Sequence, residues 1–141
     1  MPLLEQVLKK NPENVKIVFK NFPLRSHKFA ARAAAAALVA GSRGKFWEFH
    51  DRLFSDYNRL NEQTIRDIAR GLGFDMAEFE KQMNDSGILA RVRQDTQDGI
   101  QAGVQGTPAV FINGRPLRDR TLEGFQVLIA KELEKKKKTR G

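Results

Sequence analysis

The stretch Gly103–Gly114, reading GVQGTPAVFING, decides the fold of this 141-residue chain. It opens as a glycine-bounded loop, passes through the Thr107-Pro108 peptide and enters a short apolar run, Ala109–Ile112. It closes on Asn113-Gly114, the strongest short signal for a type I′ hairpin, because both central positions of that turn need positive φ. Ala109–Ile112 and the residues near Arg115–Arg118 are therefore expected to form two strands.

The neighbours of this stretch read as helices. Upstream, Ser86–Ala102 repeats Ile88, Leu89, Val92 and Ile100 at roughly helical spacing. Downstream, Thr121 caps a helix through about Glu134, with Leu122, Phe125, Leu128, Ile129 and Leu133 inward. Further upstream, Asp75-Met76-Ala77-Glu78 has the spacing of a capping box and opens a helix that turns Phe79 and Met83 inward. Asn61–Leu72 is another helix, stopped by Gly71 and Gly73. Lys45–Tyr57 carries Phe46, Phe49, Leu53 and Phe54 as its buried stripe, with Trp47 and Tyr57 at the border. An alanine-rich helix runs from a Ser26 cap to Gly41, and its small side chains suit close packing. Val15–Phe19 (VKIVF) is β-branched, apolar and bounded by Asn14 and Phe22-Pro23, which predicts a buried strand. Leu3, Leu4, Val7 and Leu8 lie on one face of a first helix that ends near Asn11-Pro12. The order is helix, strand, five helices, strand, strand, helix. One α/β domain over residues 1–134 is expected, with a helical insertion over about 26–102 and a basic tail at 135–141.

Composition narrows the function. Hydrophobic residues make up 40% and charged residues 30% of the chain, as in a soluble globular protein. The longest apolar run, Ala33–Ala40, is far below the ~18 residues of a membrane span, so no membrane insertion is expected. No secretory signal pattern opens the chain. The formal charge is +8, but Lys135–Lys138 and Arg140 carry five of those charges and leave +3 for the rest. No aromatic residue interleaves the basic run as a single-strand nucleic-acid binder would want, so nucleic acid is not an expected partner. The chain has no cysteine. That excludes disulfides, thiolate metal sites and thiol catalysis by these residues.

Three stretches together resemble the DsbA-like thiol-disulfide oxidoreductases of the thioredoxin superfamily. VKIVFKNFPL resembles their second strand and its exit. SHKFAARAAAAA followed by GKFWEFHDRLF resembles the first two helices of their inserted subdomain. GVQGTPAVFINGRPL resembles their cis-proline loop and hairpin. The resemblance implies an α/β, thioredoxin-like fold with an inserted helical subdomain. It also implies that the first strand and its paired-cysteine motif are absent, the chain beginning just past the active-site cysteines. In that family a thiolate at a helix N-terminus attacks a substrate disulfide and a second cysteine resolves the product. The loop holds substrate main chain like an added strand. Carried onto this sequence, the resemblance implies that Gly106, Thr107 and Pro108 bind a protein or peptide substrate, with Pro108 following a cis peptide. No catalytic residue, metal or cofactor is implied within the chain. It also implies a bacterial periplasm or cell envelope setting. Two classes of function stay open: an oxidoreductase domain whose cysteines lie upstream, or a redox-inactive module that binds a peptide or subunit. A kappa-class glutathione transferase relative, which uses a serine, is a subcase.

Other candidate chemistry is weaker. His27 and His50 are 23 positions apart, without metal-ligand spacing around them, and are expected at the surface or a helix border. His50 and Asp51 are adjacent in a helix and are expected to point apart. Ser26, Ser42, Ser55 and Ser86 lie in no nucleophile pattern, and the Gly103/Gly106 pair is no dinucleotide fingerprint. In the family sheet the first strand lies between the second strand and the one after the proline. Without it, Val15–Phe19 and Ala109–Ile112 are expected either to pair directly in a rearranged sheet or to be bridged by another chain in a homo-oligomer.

Overall fold

A computed structural model of the chain describes residues 2–140. In chain order its elements are helix α1 (Pro2–Lys10), α2 (Ala30–Gly41), α3 (Phe46–Ser55), a 3₁₀ turn (Tyr57–Arg59), α4 (Glu62–Gly71), α5 (Met76–Met83) and α6 (Ser86–Gln101). Strands β1 (Phe111–Ile112) and β2 (Arg115–Pro116) and helix α7 (Leu122–Arg140) follow. The chain folds as two compact units. One comprises the residues up to Val18 together with those from Gly106 onward; the other is Phe19–Gln105.

The Phe19–Gln105 unit is organised by α2. Ala33, Ala35, Ala36, Ala37 and Ala40 are buried on it, and α3, α4, α5 and α6 pack around it. Alanine has no side chain to hold a neighbouring helix off, so backbones approach closely and larger residues fill the remaining space. Those residues are Phe49, Leu53, Ile65, Ile68, Phe74, Phe79 and Met83. Phe79 stacks on Phe49 at 5.9 Å and tilts against Phe74 at 5.2 Å. Short polar residues set the helix starts. Asn61 accepts from the Thr64 N–H, Asp75 from Glu78 and Asp85 from Gly87, each satisfying an N–H that the helix cannot.

The second unit rests α1 on α7. Val7, Leu117, Phe125 and Ile129 form its buried centre, with Leu3, Leu4, Val15, Val110, Ile112, Leu122, Leu128 and Leu133 around it. The Asn11 amide donates to the Val7 carbonyl (2.8 Å) and to Gln126 (2.6 Å), which ties the end of α1 to α7. Thr121 opens α7, its hydroxyl accepting from the Gly124 N–H at 3.1 Å. The helix then runs past Glu134 to Arg140, so the five terminal cations are helical. A helix C-terminus favours cations through its dipole.

Several expectations change. Val15–Val18 alternates half-buried and exposed residues as a strand does, yet it forms no ladder. Among the described residues the one ladder joins β1 to β2 antiparallel, so Val15–Val18 does not pair with β1. β-branched alternation fixes an extended backbone and an inward face, but a strand also needs a neighbour, and the chain supplies none there. For the same reason β1 covers only the second half of Ala109–Ile112, and β2 stops at Pro116. Ser26 caps nothing: α2 starts at Ala30 after tight turns at His27 and Ala30, with no side-chain cap. Phe54 is 63% exposed rather than core, because it lies on the Trp47–His50 face of α3, one residue round from Leu53. Leu89 and Ile100 of α6 are exposed too, and the buried residue on that helix beside Val92 is Asp95.

Candidate functional site

The loop at Thr107-Pro108 is set by the hairpin that follows it. Asn113 (φ 50°) and Gly114 (φ 79°) both occupy the left-handed region, which reverses the chain and matches strand twist. Leu117 is buried against the α1–α7 core and its N–H donates to the Val110 carbonyl at 2.8 Å. That pins Val110, two residues after the proline. Arg120 works from the other side, its Nη1 donating to the Pro108 carbonyl at 2.6 Å. The Thr107–Pro108 peptide is cis.

Held this way, Gly106, Thr107 and Pro108 are all exposed. Neither Gly106 nor Thr107 makes a backbone hydrogen bond to another described residue. Thr107 thus presents one free N–H and one free carbonyl, and Pro108 has no N–H to offer. Phe111 extends this edge. It faces Pro116 across the hairpin, and a proline cannot sit in a doubly hydrogen-bonded pair. In an antiparallel ladder bonded and non-bonded pairs alternate. Since Val110 and Leu117 form the bonded pair, the N–H and carbonyl of Phe111 point away from β2.

No thiol stands beside this edge, because the chain has no cysteine. Among the described residues no three metal-ligating side chains cluster. Gly106, Thr107 and Pro108 were candidates in the sequence. Arg120 was not: an arginine in a linker carries no sign that it will reach back to a carbonyl twelve residues earlier.

The other candidates resolve as structure. His27 is exposed. His50 is only 3% exposed, against the border position expected for it. It is packed among the rings of Phe19, Phe46, Trp47 and Phe54 at centroid distances of 4.6–5.8 Å. It also meets Asp51, Nδ1 to Oδ1 at 3.3 Å, where divergence was expected. Burial pulls the His50 pKa below 6.5, and the Asp51 carboxylate partly opposes that. Its Nε2 is buried without a hydrogen-bond partner among the described residues. Ser42 and Ser55 hydrogen-bond to carbonyls of their own helices. A polar depression lined by Arg52, Asp56, Arg59, Asn61, Thr64 and Asp67 holds charges that partly neutralise one another, as in the 3.1 Å Arg59–Asp56 pair. No helix of the described residues is long and apolar enough to cross a membrane.

Comparison with known proteins bears on this loop-and-hairpin site. The chain is 34% identical over 103 residues to Na(+)/H(+) antiporter NhaA 1 of Salinispora arenicola, which covers 72% of this chain and 16% of the antiporter. It is 34% identical over 100 residues to Na(+)/H(+) antiporter NhaA 1 of Mycolicibacterium vanbaalenii, covering 69% and 16%. Over 107 residues it is 29% identical to Na(+)/H(+) antiporter NhaA of Herminiimonas arsenicoxydans, covering 75% and 17%. The chain thus spans about one sixth of the length of these curated relatives. The profile of the DSBA-like thioredoxin domain matches residues 2–129, from the start of α1 to the buried Ile129 of α7. With a proline loop and hairpin of the kind just described inside that match, and no cysteine anywhere, this chain belongs to the DSBA-like thioredoxin domain family and lacks the family's paired-cysteine motif.

Proposed function

We propose that this chain is a peptide-docking module of the DsbA-like family that performs no thiol chemistry with its own residues. The observation that carries the reading is the exposed Gly106–Pro108 loop, whose Thr107 backbone is unpaired while Arg120 and Leu117 fix the residues beyond it. A main-chain edge of this kind recognises extended peptide by backbone pairing, whatever its side chains. Exchange of disulfides needs a thiolate, and the sequence supplies none. The substrate is accordingly a protein or peptide segment held through Gly106, Thr107 and Pro108, without a cofactor.

Two measurements test this. In an insulin-reduction assay the purified chain gives no acceleration over dithiothreitol alone. In a titration of isotopically labelled chain with an extended peptide, the Gly106 and Thr107 amide resonances shift. Turnover in the first, or unmoved loop resonances in the second, overturns the reading. The antiporter relatives favour a second setting for the same role: similar segments occur inside much longer proteins of a different named activity. Docking by such a module would then serve an assembly rather than a free enzyme.

A further inference from the structure

The densest run of charge in the chain lies on α7. Lys135, Lys136, Lys137, Lys138 and Arg140 are all exposed, and no acid lies among residues 135–140. The backbone there is helical, and the Thr139 hydroxyl donates to the Lys135 and Lys136 carbonyls. A rise of about 1.5 Å per residue puts the five cations within roughly 8 Å along the axis. That is no more than the ~8 Å Debye length of physiological salt, so they act together.

Neighbouring acids do not cancel them. Glu132 is 13% exposed and serves two cations at once, Arg115 of β2 at 3.0 Å and Lys135 at 3.6 Å. Lys131, Lys136, Lys137, Lys138 and Arg140 form no ion pair among the described residues. Arg115, Lys131, Lys135–Lys138 and Arg140 are seven cations; set against Glu132, Glu134 and Glu5 of the adjoining α1, they leave +4. Asp119 and Glu123 belong to the opposite end of α7, about 18 Å or more along its axis from Lys135. Glu13 lies towards that end too, two residues past the Asn11 that bonds Gln126.

Like charges three and four residues apart destabilise a helix, so an anionic partner relieves this run. Its chemistry narrows the partner. Four of the five cations are lysines, point charges rather than the planar forks that grip nucleic-acid phosphates in pairs. Residues 134–140 hold no aromatic ring and no Asn or Gln with which to stack on or read a base. They hold no apolar side chain either, and Leu133 packs on the core cluster, so nothing is available to enter hydrocarbon. Adsorption to a fluid layer of anionic headgroups needs only the charge.

We propose that residues 131–140 of α7, with Arg115, hold this unit against the surface of an anionic lipid bilayer, without insertion.

The test is co-sedimentation of the full chain with vesicles of phosphatidylcholine, alone or with roughly one third phosphatidylglycerol. Binding is expected only to the anionic vesicles, weakening as salt rises. Lys136→Gln/Lys137→Gln/Lys138→Gln should weaken it at least about tenfold. A control that removes the same charge from exposed Lys9, Lys10 and Lys81 should change it by less than about threefold, with both variants checked for folding by circular dichroism. Failure to bind anionic vesicles at low salt overturns the proposal, as does equal binding to neutral ones. Equal losses in the two variants overturn it by making net charge, not this helix, the cause. Tighter binding to a DNA duplex at the same phosphate concentration overturns it in favour of nucleic acid.

Discussion

Substituting Asp95 by alanine should loosen the Phe19–Gln105 unit more than any surface change. Asp95 is 1% exposed on α6. Its Oδ2 accepts from the Asn21 N–H and from the Asn21 side-chain amide, both at 3.0 Å, and Asn21 is itself buried. Its Oδ1 lies 3.3 Å from Arg91 Nε and 3.7 Å from Lys20 Nζ. The two cations are more than half exposed, so they regain water and contribute little. The two Asn21 donors do not, and a buried donor left unsatisfied costs about 1–3 kcal/mol. Asp95→Ala should therefore lower the unfolding free energy by roughly 2–5 kcal/mol. Asp95→Asn can keep an oxygen where Oδ2 accepts both Asn21 donors but removes its charge, so it should lose about half as much. Urea unfolding followed by circular dichroism reads both values. An Asn21→Ala/Asp95→Ala cycle should show coupling of about 1 kcal/mol or more, and the Asn21 amide should lose protection from exchange in Asp95→Ala. A loss under about 0.5 kcal/mol with no coupling, the range of an ordinary surface change, would refute the view that this carboxylate anchors the chain after Phe19.

Two further outcomes follow from the packing. Gly124→Ala would ordinarily favour a helix by about 1 kcal/mol, but a Cβ there runs into the Asp119 carbonyl oxygen; the expected result is a loss of about 1–3 kcal/mol in urea unfolding, and a gain would refute the contact. His50 resists protonation in the fold, whereas the unfolded chain takes up that proton below about pH 6.5. The unfolded state then binds more protons, so His50 makes stability fall as pH drops below that value, by up to about 1.4 kcal/mol per pH unit. In His50→Leu that part of the slope should vanish below about pH 6.5, and an unchanged slope would exclude His50 as its source.

The family, the hairpin and most helices were legible in the sequence because their signals are local. Asn113-Gly114 dictates its turn whatever surrounds it, and Asn61 and Asp75 cap their helices through atoms three residues away. Signals that depend on a partner failed. VKIVF was read from its β-branched, apolar residues as a buried strand; it forms no ladder and leaves Lys16 and Val18 exposed, because pairing needs a second segment. Phe54 and His50 were misassigned for a related reason. Helical spacing says which residues share a face, not which of two apolar faces meets the alanines of α2. Phe49 and Leu53 took that place, and His50 was buried instead among rings of its own helix and Phe19. Asp95 and Arg120 act across 74 and 12 residues, separations at which a single sequence holds no signal.

Affinity sets a condition on the loop that the sequence alone does not reveal. Thr107 offers one N–H and one carbonyl, and a backbone hydrogen bond nets about 0.5–1.5 kcal/mol after water is displaced. Two of them give at most about 3 kcal/mol, less than the ~4 kcal/mol of a millimolar complex. In an enzyme of this family a covalent bond between cysteine and substrate supplements such weak contacts during the reaction. A chain without cysteine has no such bond to draw on. On the proposed docking reading, the holding comes from a longer edge, Thr107 together with the outward N–H and carbonyl of Phe111. With no thiol among these residues, docking at the loop depends on the exposed main chain that continues it as well as on Thr107 itself.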